Sequence, residues 1–481
     1  MMDLRPVAHV IGMTVAALGL AMLLPMAIDM LQGNGHAGVF LEAAIVTTLI
    51  GGLMALCCAN AVAEGMRIQQ LFILTTSVWA VLPLFGAIPF IRGATGADFT
   101  DAYFEAMSGL TTTGSTVFTE LDELPAGLLL WRSMLQWFGG IGIIVVAMAF
   151  LPELRVGGMQ IFRSEGFDTD GKILPRATEI ASRISIVYLG LTILCALAYF
   201  AVGLSVFDAV NHAMTTVATG GFSTHDASFG AFKGAAEYVA ALFMILASLP
   251  FVRYVQLLAG STGPLTRDSQ VRVFLLSVLT LVAVMTAYRI LNGAGVLLSV
   301  RETVFNVTSI ITGTGYASTN YEAWGNFPAA LFFFIGLVGG CAGSTCCSVK
   351  IFRYQLLWGA VANQIRRIHS PHGVFQLKYE GRTMTEDVIS SVMAFLTMFI
   401  VTLGVVSILL SSTGLDPITS ISGAATAIAN VGPGLGPEIG PDGNFGDLNT
   451  MAKWILLTAM LIGRLELMVV FVLFTSRFWR A

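Results

Sequence analysis

The chain of 481 residues is 56% hydrophobic and only 11% charged, with 32 phenylalanines and 21 methionines. No soluble domain could bury that much apolar surface, so the composition excludes a soluble protein and places the chain in a membrane. Its net charge of -4 says little alone, because the sign pattern along the sequence is what orients a membrane protein.

Apolar runs of about 20 residues, enough to cross ~30 Å of hydrocarbon, predict ten spanning helices. They lie at 6–30, 38–62, 70–92, 126–151, 178–203, 235–259, 271–293, 326–350, 387–411 and 450–474. The first run is too long for a signal-peptide core and lacks a small-residue cleavage pattern, so it is read as a spanning helix. The shorter segments 98–111, 205–218, 300–312 and 416–429 have room for only a half-crossing. They are predicted to be pore helices that dip into the membrane and return as loops.

Each half-crossing ends in a glycine-centred turn: TTTGS at 111–115, ATGGF at 218–222, GTGYA at 313–317 and NVGPG at 430–434. The intervals between these turns are on the order of a hundred residues, which marks an internal repeat. The predicted fold class is therefore an all-α integral membrane protein. It has two N-terminal spanning helices (1–64) and four pore repeats (65–155, 176–262, 270–355 and 385–481) arranged with pseudo-fourfold symmetry around one pore.

Non-helical backbone survives at membrane depth only where it is buried in protein or lines a wet cavity. Four such loops around one axis would turn their carbonyl oxygens toward a dehydrating cation, the chemistry of a selectivity filter. Glycine suits the centre of each turn because it accepts positive φ and does not narrow the pore. Each pore helix aims the partial negative charge of its C-terminus at the cavity below, which favours a cation and repels an anion. Close helix packing is the competing explanation of any one glycine turn, but not of four in register. The candidate filter residues are Thr112, Thr113 and Gly114; Ala218, Thr219 and Gly220; Gly313, Thr314 and Gly315; and Asn430, Val431 and Gly432. The second register stays open between Gly220 and Gly221, and the fourth loop departs most, with Pro433 stiffening the backbone beyond its glycine.

Basic residues orient the chain. Arg155, Arg163, Lys172 and Arg176 in 152–177, Arg253, Arg267 and Arg272 in 253–272, and Lys350, Arg353, Arg366, Arg367, Lys378 and Arg382 in 350–382 place these loops in the cytoplasm. Both termini, with Arg5, Arg477 and Arg480, go with them. The half-crossings face the other side and lean acidic, with Asp98, Asp101, Glu105, Glu120, Asp122 and Glu123 in the first, then Asp208, Asp226, Glu302, Glu322, Asp416, Glu438, Asp442 and Asp447. An acidic mouth raises the local cation concentration.

Two features sit below the predicted filter. GGCAGSTCCS at 339–348 holds too many small residues for a straight helix against lipid, so this stretch is expected to unwind inside the protein. Arg464, in the middle of the last apolar run, must face the interior and find a partner. Glu466 is a poor partner on the same helix, because residues two apart point different ways, and carbonyls of 339–348 suit better. Lys350 either transmits movement to the loop or anchors the helix at the cytoplasmic side. The six cysteines do not form a disulfide framework. Cys341, Cys346 and Cys347 are read as packed thiols, with a soft-metal site as the alternative although no histidine lies near them.

With these residues in place, the chain resembles the TrkH-like membrane subunits of the Trk/Ktr/HKT potassium transporter superfamily. The motifs that carry the resemblance are SGLTTTGS, TGGFSTHD, GTGYAST and NVGPGLG, together with QWFGGIGI at 136–143, GGCAGST at 339–345 and GRLE at 463–466. The resemblance implies potassium as the transported ion, because a filter glycine in every repeat goes with potassium, and a bacterial inner membrane location. It makes 339–348 an intramembrane gating loop involving Gly339, Gly340, Gly343, Ser344 and Lys350, with Arg464 tying it shut, although a structural arginine bridging helices is the other role open to Arg464. Cys346 and Cys347 stand where the family usually has glycines. It also implies a homodimer and a cytosolic TrkA-like regulatory subunit, through which alone a nucleotide would act. No covalently bound cofactor and no nucleic acid is expected, and membrane lipid is the surrounding partner.

Two rival functions are open to the same residues. A proton- or sodium-coupled symporter is the first, since broken helices also build secondary transporters. The second is a membrane-embedded hydrolase using His212, or His225 with Asp226, plus a serine, although spacing alone establishes no such geometry.

Overall fold

The computed structural model describes residues 2–61, 66–149, 157–159, 161 and 177–480. The basic loop expected at 152–177 therefore lies almost entirely outside the described residues. Among the described residues the fold is helical, with one two-stranded ribbon pairing Lys378–Tyr379 with Arg382–Thr383.

The pore helices are Phe99–Leu110, Val206–Val217, Val296–Ile311 and Pro417–Ala429. Their starts are fixed by local chemistry. Asp98 caps the first through the Asp101 amide, Ser205 the second through the Asp208 amide, and Asp416 the fourth through the amides of Ile418 and Thr419. Such caps satisfy amides that have no partner within the helix. The third starts at Gly295 with no side-chain cap.

Each pore helix packs between two helices of its own repeat. The first lies between Ile68–Gly86 and Ala126–Ala149, the second between Ala177–Ala201 and Ala235–Ala247. The third lies between Ser269–Leu291 and Asn326–Gly336, the fourth between Glu386–Ser411 and Thr450–Arg464. The second helix of each repeat also touches the pore helix of the next, and Thr450–Arg464 returns to touch Phe99–Leu110. Those contacts close the four repeats into a ring.

Outside the ring, Arg5–Ala21 packs on Ala37–Cys57. A Cβ at Gly12 would lie 2.7 Å from the Gly51 carbonyl oxygen, so small residues let these two backbones approach, as is common between membrane helices.

Among the described residues seven helices are long and apolar enough to cross a membrane, or eight if one bent pair is a single span. Three of the ten expected spans depart from a straight crossing. The run 235–259 bends by 88° between Ala235–Ala247 and Phe251–Leu258, where Pro250 has no amide hydrogen to continue the helix. The run 326–350 is helical only over Asn326–Gly336, and the chain resumes as Ile351–His369 after the expected loop. The run 450–474 breaks after Arg464, with Glu466 and Leu467 at φ 59° and 50°, before Met468–Leu473 continues.

Candidate ion-conduction site

The four glycine turns have one backbone plan. In each, the chain leaving the pore helix closes a hydrogen bond five residues back: Thr113 to Ser108, Gly220 to Thr215, Thr314 to Ser309 and Val431 to Thr426, all at 2.9 Å between amide nitrogen and carbonyl oxygen. The residue just before the donor is left-handed in every case, with φ 51° at Thr112, 50° at Thr219, 74° at Gly313 and 51° at Asn430. This conformation is costly for a threonine. Its recurrence at four equivalent positions shows that the turn is imposed by the surroundings.

The same signature settles the second register. One residue past the donor stand Gly114, Gly221, Gly315 and Gly432, and the first three have φ of 86°, 79° and 82°. Gly432 precedes Pro433, which restricts the residue before it to extended backbone. The equivalent of Gly114 is thus Gly221. The aligned triplet of the second loop becomes Thr219, Gly220 and Gly221, and Ala218 falls at the helix cap.

The loops meet in cyclic order. A Cβ at Gly114 would run into the Gly220 carbonyl oxygen and one at Gly221 into that of Thr314. At Gly315 it would sit 2.7 Å from the Gly432 nitrogen, and at Gly432 3.1 Å from the Gly114 carbonyl oxygen. Repeats one to four therefore touch around a single axis, and at Gly114, Gly221 and Gly315 the neighbouring backbone leaves no room for a side chain.

Side chains brace this ring from behind. Gln136 donates to the Gly220 carbonyl at 2.6 Å and accepts from the Phe222 amide at 3.0 Å. Ser115 donates to the Gly432 carbonyl at 2.9 Å. Asn430 donates to Thr113 Oγ1 at 2.9 Å and to the Met460 carbonyl at 3.0 Å. Within loops one and three, Thr111 pairs with Thr113 and Thr312 with Thr314, at 2.7 and 2.8 Å.

Above the ring opens a vestibule of about 700 Å³ that Gly114, Gly221, Gly315 and Gly432 floor, with Glu120, Asp226, Glu438, Asp442 and Asp447 around it. Some of the acids expected at the mouth do other work. Glu105 is 0% exposed and paired at 2.7 Å with Arg132, itself 1% exposed, and it also accepts from the Val117 amide. Glu302 pairs with Arg289, and Asp101 with Lys453 at 2.5 Å.

Other acids link the outer loops of adjacent repeats. Asp122 pairs with His225, and Asp226 accepts from the Leu121 amide at 2.9 Å. Burial pushes the Asp122 carboxyl up, but hydrogen bonds from His225 and the Asp226 amide outweigh it and hold the group below the usual carboxylate range. Glu322 accepts from the Gly436 amide at 2.7 Å, and the Phe445 amide donates to the Thr116 carbonyl at 2.8 Å.

The hydrolase constellation does not form an open site. His212 is buried, with its ring nitrogens 2.9 Å from the Asp208 carbonyl and from Ser223 Oγ, and Phe229, Phe232 and Tyr316 enclose it. His225 and Asp226 serve the loop contacts just described.

Below the ring, 339–348 is non-helical, and its polar backbone is engaged by the elements around it. The Cys341 amide donates to the Ser248 carbonyl at the bend in repeat two, and the Gly343 carbonyl accepts from the Phe251 amide. The Ala342 amide donates to Gln270 at 2.9 Å, and the Ser348 amide to the Ala429 carbonyl at the end of the fourth pore helix. Gly339 and Gly340 lie against Cys347 and Cys346, where a Cβ would clash, and Ser344 Oγ donates to the Cys341 carbonyl.

Arg464 approaches the loop, but not through its carbonyls. It donates to Cys347 Sγ at 2.6 Å and to the Gly139 carbonyl at 2.9 Å, while the Lys350 ammonium donates to the loop carbonyl of Cys346. Glu466, which lies in the break beyond the helix end, is not the partner of Arg464. It pairs with the buried Arg353, which also donates to the Gly157 carbonyl at 3.0 Å. Cys346 donates to Ser248 Oγ at 2.8 Å, so Cys346 and Cys347 have different partners and lend no support to a shared soft-metal site.

The sequence missed the bracing role of Gln136, the Glu105–Arg132 pair and the Arg353–Glu466 pair. Polar or charged residues inside apolar runs, as at Arg132 and Gln136, are the signal that could have found them.

Comparison with known proteins agrees over the whole chain. The family model of TrkH, described as a cation transport protein, matches residues 36–480. The chain is 42% identical over 478 residues to the Trk system potassium uptake protein TrkI of Halomonas elongata, covering 99% of this chain and 97% of that one. It is 35% identical over 487 residues to the Trk system potassium uptake protein TrkH of Escherichia coli K12, with 100% of both covered. The crystal structure of the potassium transporter TrkH from Vibrio parahaemolyticus superposes with a TM-score of 0.92 at 32% identity, covering 100% of both chains.

Proposed function

The chain belongs to the TrkH family of cation transport proteins, and from that premise we propose that it takes up potassium through the conduit framed by its four filter loops. The observation that carries the proposal is the closed ring of glycines, Gly114, Gly221, Gly315 and Gly432, beneath one acidic vestibule. A cation concentrated by the vestibule carboxylates sheds water against loop carbonyls. The C-terminal ends of the pore helices then stabilise it in the cavity below. The family resemblance and the names of the relatives support potassium as the ion.

Passage further inward is controlled by 339–348 with Arg464 and Lys350, two cations that oppose a third. Release of the loop is assigned to a cytosolic, TrkA-like nucleotide-binding subunit, with the membrane chains paired as homodimers and both termini in the cytoplasm of the bacterial inner membrane. A membrane potential suffices as driving force, since 100 mV supplies ~2.3 kcal/mol per charge, about fifty-fold accumulation. A proton- or sodium-coupled symporter is the alternative. Reversal potentials in liposomes under imposed potassium and proton gradients test the proposal: conduction places them at the potassium equilibrium potential, and a shift with the proton gradient alone assigns symport.

A further inference from the structure

A cavity of about 290 Å³ lies between three membrane-spanning helices, Arg5–Ala21, Ile68–Gly86 and Ala126–Ala149, and the end of the first pore helix. Leu18, Trp79 and Leu110 in its wall are buried, Leu82 and Phe138 are half-buried and Ala17 is exposed, so the cavity opens sideways to the bilayer. Among its side chains only Thr14 and Trp79 carry polar atoms, and the Thr14 hydroxyl already donates to the Ile11 carbonyl at 2.8 Å. A buried water needs two to four polar partners, and engineered apolar cavities about half this size stay dry and take up benzene or xenon. The cavity is therefore built for hydrocarbon.

The start of the same helices points to the source of that hydrocarbon. Arg5–Ala21 packs on Ile68–Gly86, and Gln70 Nε2 donates to the Asp3 carbonyl at 2.6 Å, so their first residues share one membrane surface. There Arg5 is paired with Asp3, whereas Arg67 is exposed and has no ion-pair partner among the described residues. Val78 in the cavity wall lies eleven residues beyond Arg67, about 17 Å at 1.5 Å per residue. One leaflet holds about 15 Å of hydrocarbon, half of ~30 Å. A lipid whose phosphate meets Arg67 thus carries the end of its chain to the level of the cavity.

We propose that this cavity is a phospholipid site, filled by the end of an acyl chain whose phosphate rests against Arg67. The Trp79 ring lies 5.2 Å from the guanidinium carbon of Arg464, so the bound chain sits one aromatic ring away from the arginine below the filter.

The test uses the full chain in liposomes of phosphatidylglycerol that carries a diazirine at the end of one acyl chain, with photo-cross-linking and peptide mass spectrometry to locate the label. The expected result is label on Leu18 and Leu110, 5% and 3% exposed, as well as on the outward-facing Leu279. A Cβ at Gly142 meets only the Trp79 ring, at 3.7 Å, so Gly142→Leu projects into the cavity. It removes label from Leu18 and Leu110 while Leu279 keeps it, and Ala17→Phe at the mouth does the same. Arg67→Ala lowers label on the lining about fivefold, the worth of one basic residue at an anionic surface. Label on Leu279 with none on Leu18 or Leu110 overturns the proposal, and so does lining label that both filling variants leave in place. Undiminished label in Arg67→Ala overturns the placement of the phosphate. A second copy seated in the cavity also overturns the proposal, seen as disulfide-linked dimers of Ala17→Cys with an unlabelled lining.

Discussion

The side-chain amide of Asn430 donates to Thr113 Oγ1 at 2.9 Å, joining the fourth filter loop to the first across the seam where the chain's last repeat meets its earliest. Asn430 also occupies the left-handed position of its turn, which asparagine tolerates better than most residues. Asn430→Ala removes two hydrogen bonds and adds backbone strain. The expected loss is about 2 kcal/mol of stability, seen as a lower Tm, together with a rise in sodium flux relative to potassium. Asn430→Gly keeps the backbone free and should recover part of the Tm but not the selectivity.

The two adjacent glycines of the second loop predict different outcomes. A Cβ at Gly221 meets the backbone of Thr314 and Gly315 at φ 79°, so Gly221→Ala should abolish flux with no rescue from any neighbouring side chain. A Cβ at Gly220 meets first the Gln136 carboxamide, at 2.4 Å. Gly220→Ala should therefore regain folding when combined with Gln136→Ala, read by size-exclusion profile and Tm.

Those glycines also mark how far the sequence alone could go. A glycine turn after a half-length apolar segment is legible because backbone at membrane depth has few permitted settings, and the ring and the loop at 339–348 came from that constraint. The register of ATGGF did not, because both candidates are glycine and only the folded backbone separates them, through the hydrogen bond from Gly220 to Thr215 and the left-handed φ of Thr219 and Gly221. Pro250 signals the bend in repeat two, but the apolar run around it reads as continuous. The break after Arg464 carries no glycine or proline within it; it is accompanied by a tertiary pair, Glu466 with Arg353, which no local pattern reveals.

Arg132 and Glu105 form an ion pair shielded from solvent, and removing one member strands the other. Arg132→Ala should cost about 3 to 5 kcal/mol, whereas Arg132→Met with Glu105→Gln should recover most of it. Thermal unfolding in detergent distinguishes the two.

The contact between the outer loops of repeats one and two should respond to acid. The Asp122 carboxyl is held below its ordinary value, so its contribution is present above the unfolded pKa, about 3.9, and is lost as pH falls through the lower folded value. Carbon-13 titration of the carboxyl should show this depressed midpoint, and His225→Ala should move it upward. An unchanged midpoint would mean that His225 does not set it.

Arg464→Ala removes a buried positive charge from below the filter. Potassium flux in liposomes should rise about tenfold, equivalent to ~1.4 kcal/mol off the barrier, and Lys350→Ala should act in the same direction. Flux unchanged in both variants would leave Arg464 a purely structural bridge.

Whether the four backbone turns make one potassium-selective ring is read from the bi-ionic reversal potential of the purified chain in planar bilayers, with potassium on one side and sodium on the other. The expected potential is set by potassium and collapses toward zero in Gly114→Ser. A potential near zero in the unmutated chain would contradict it.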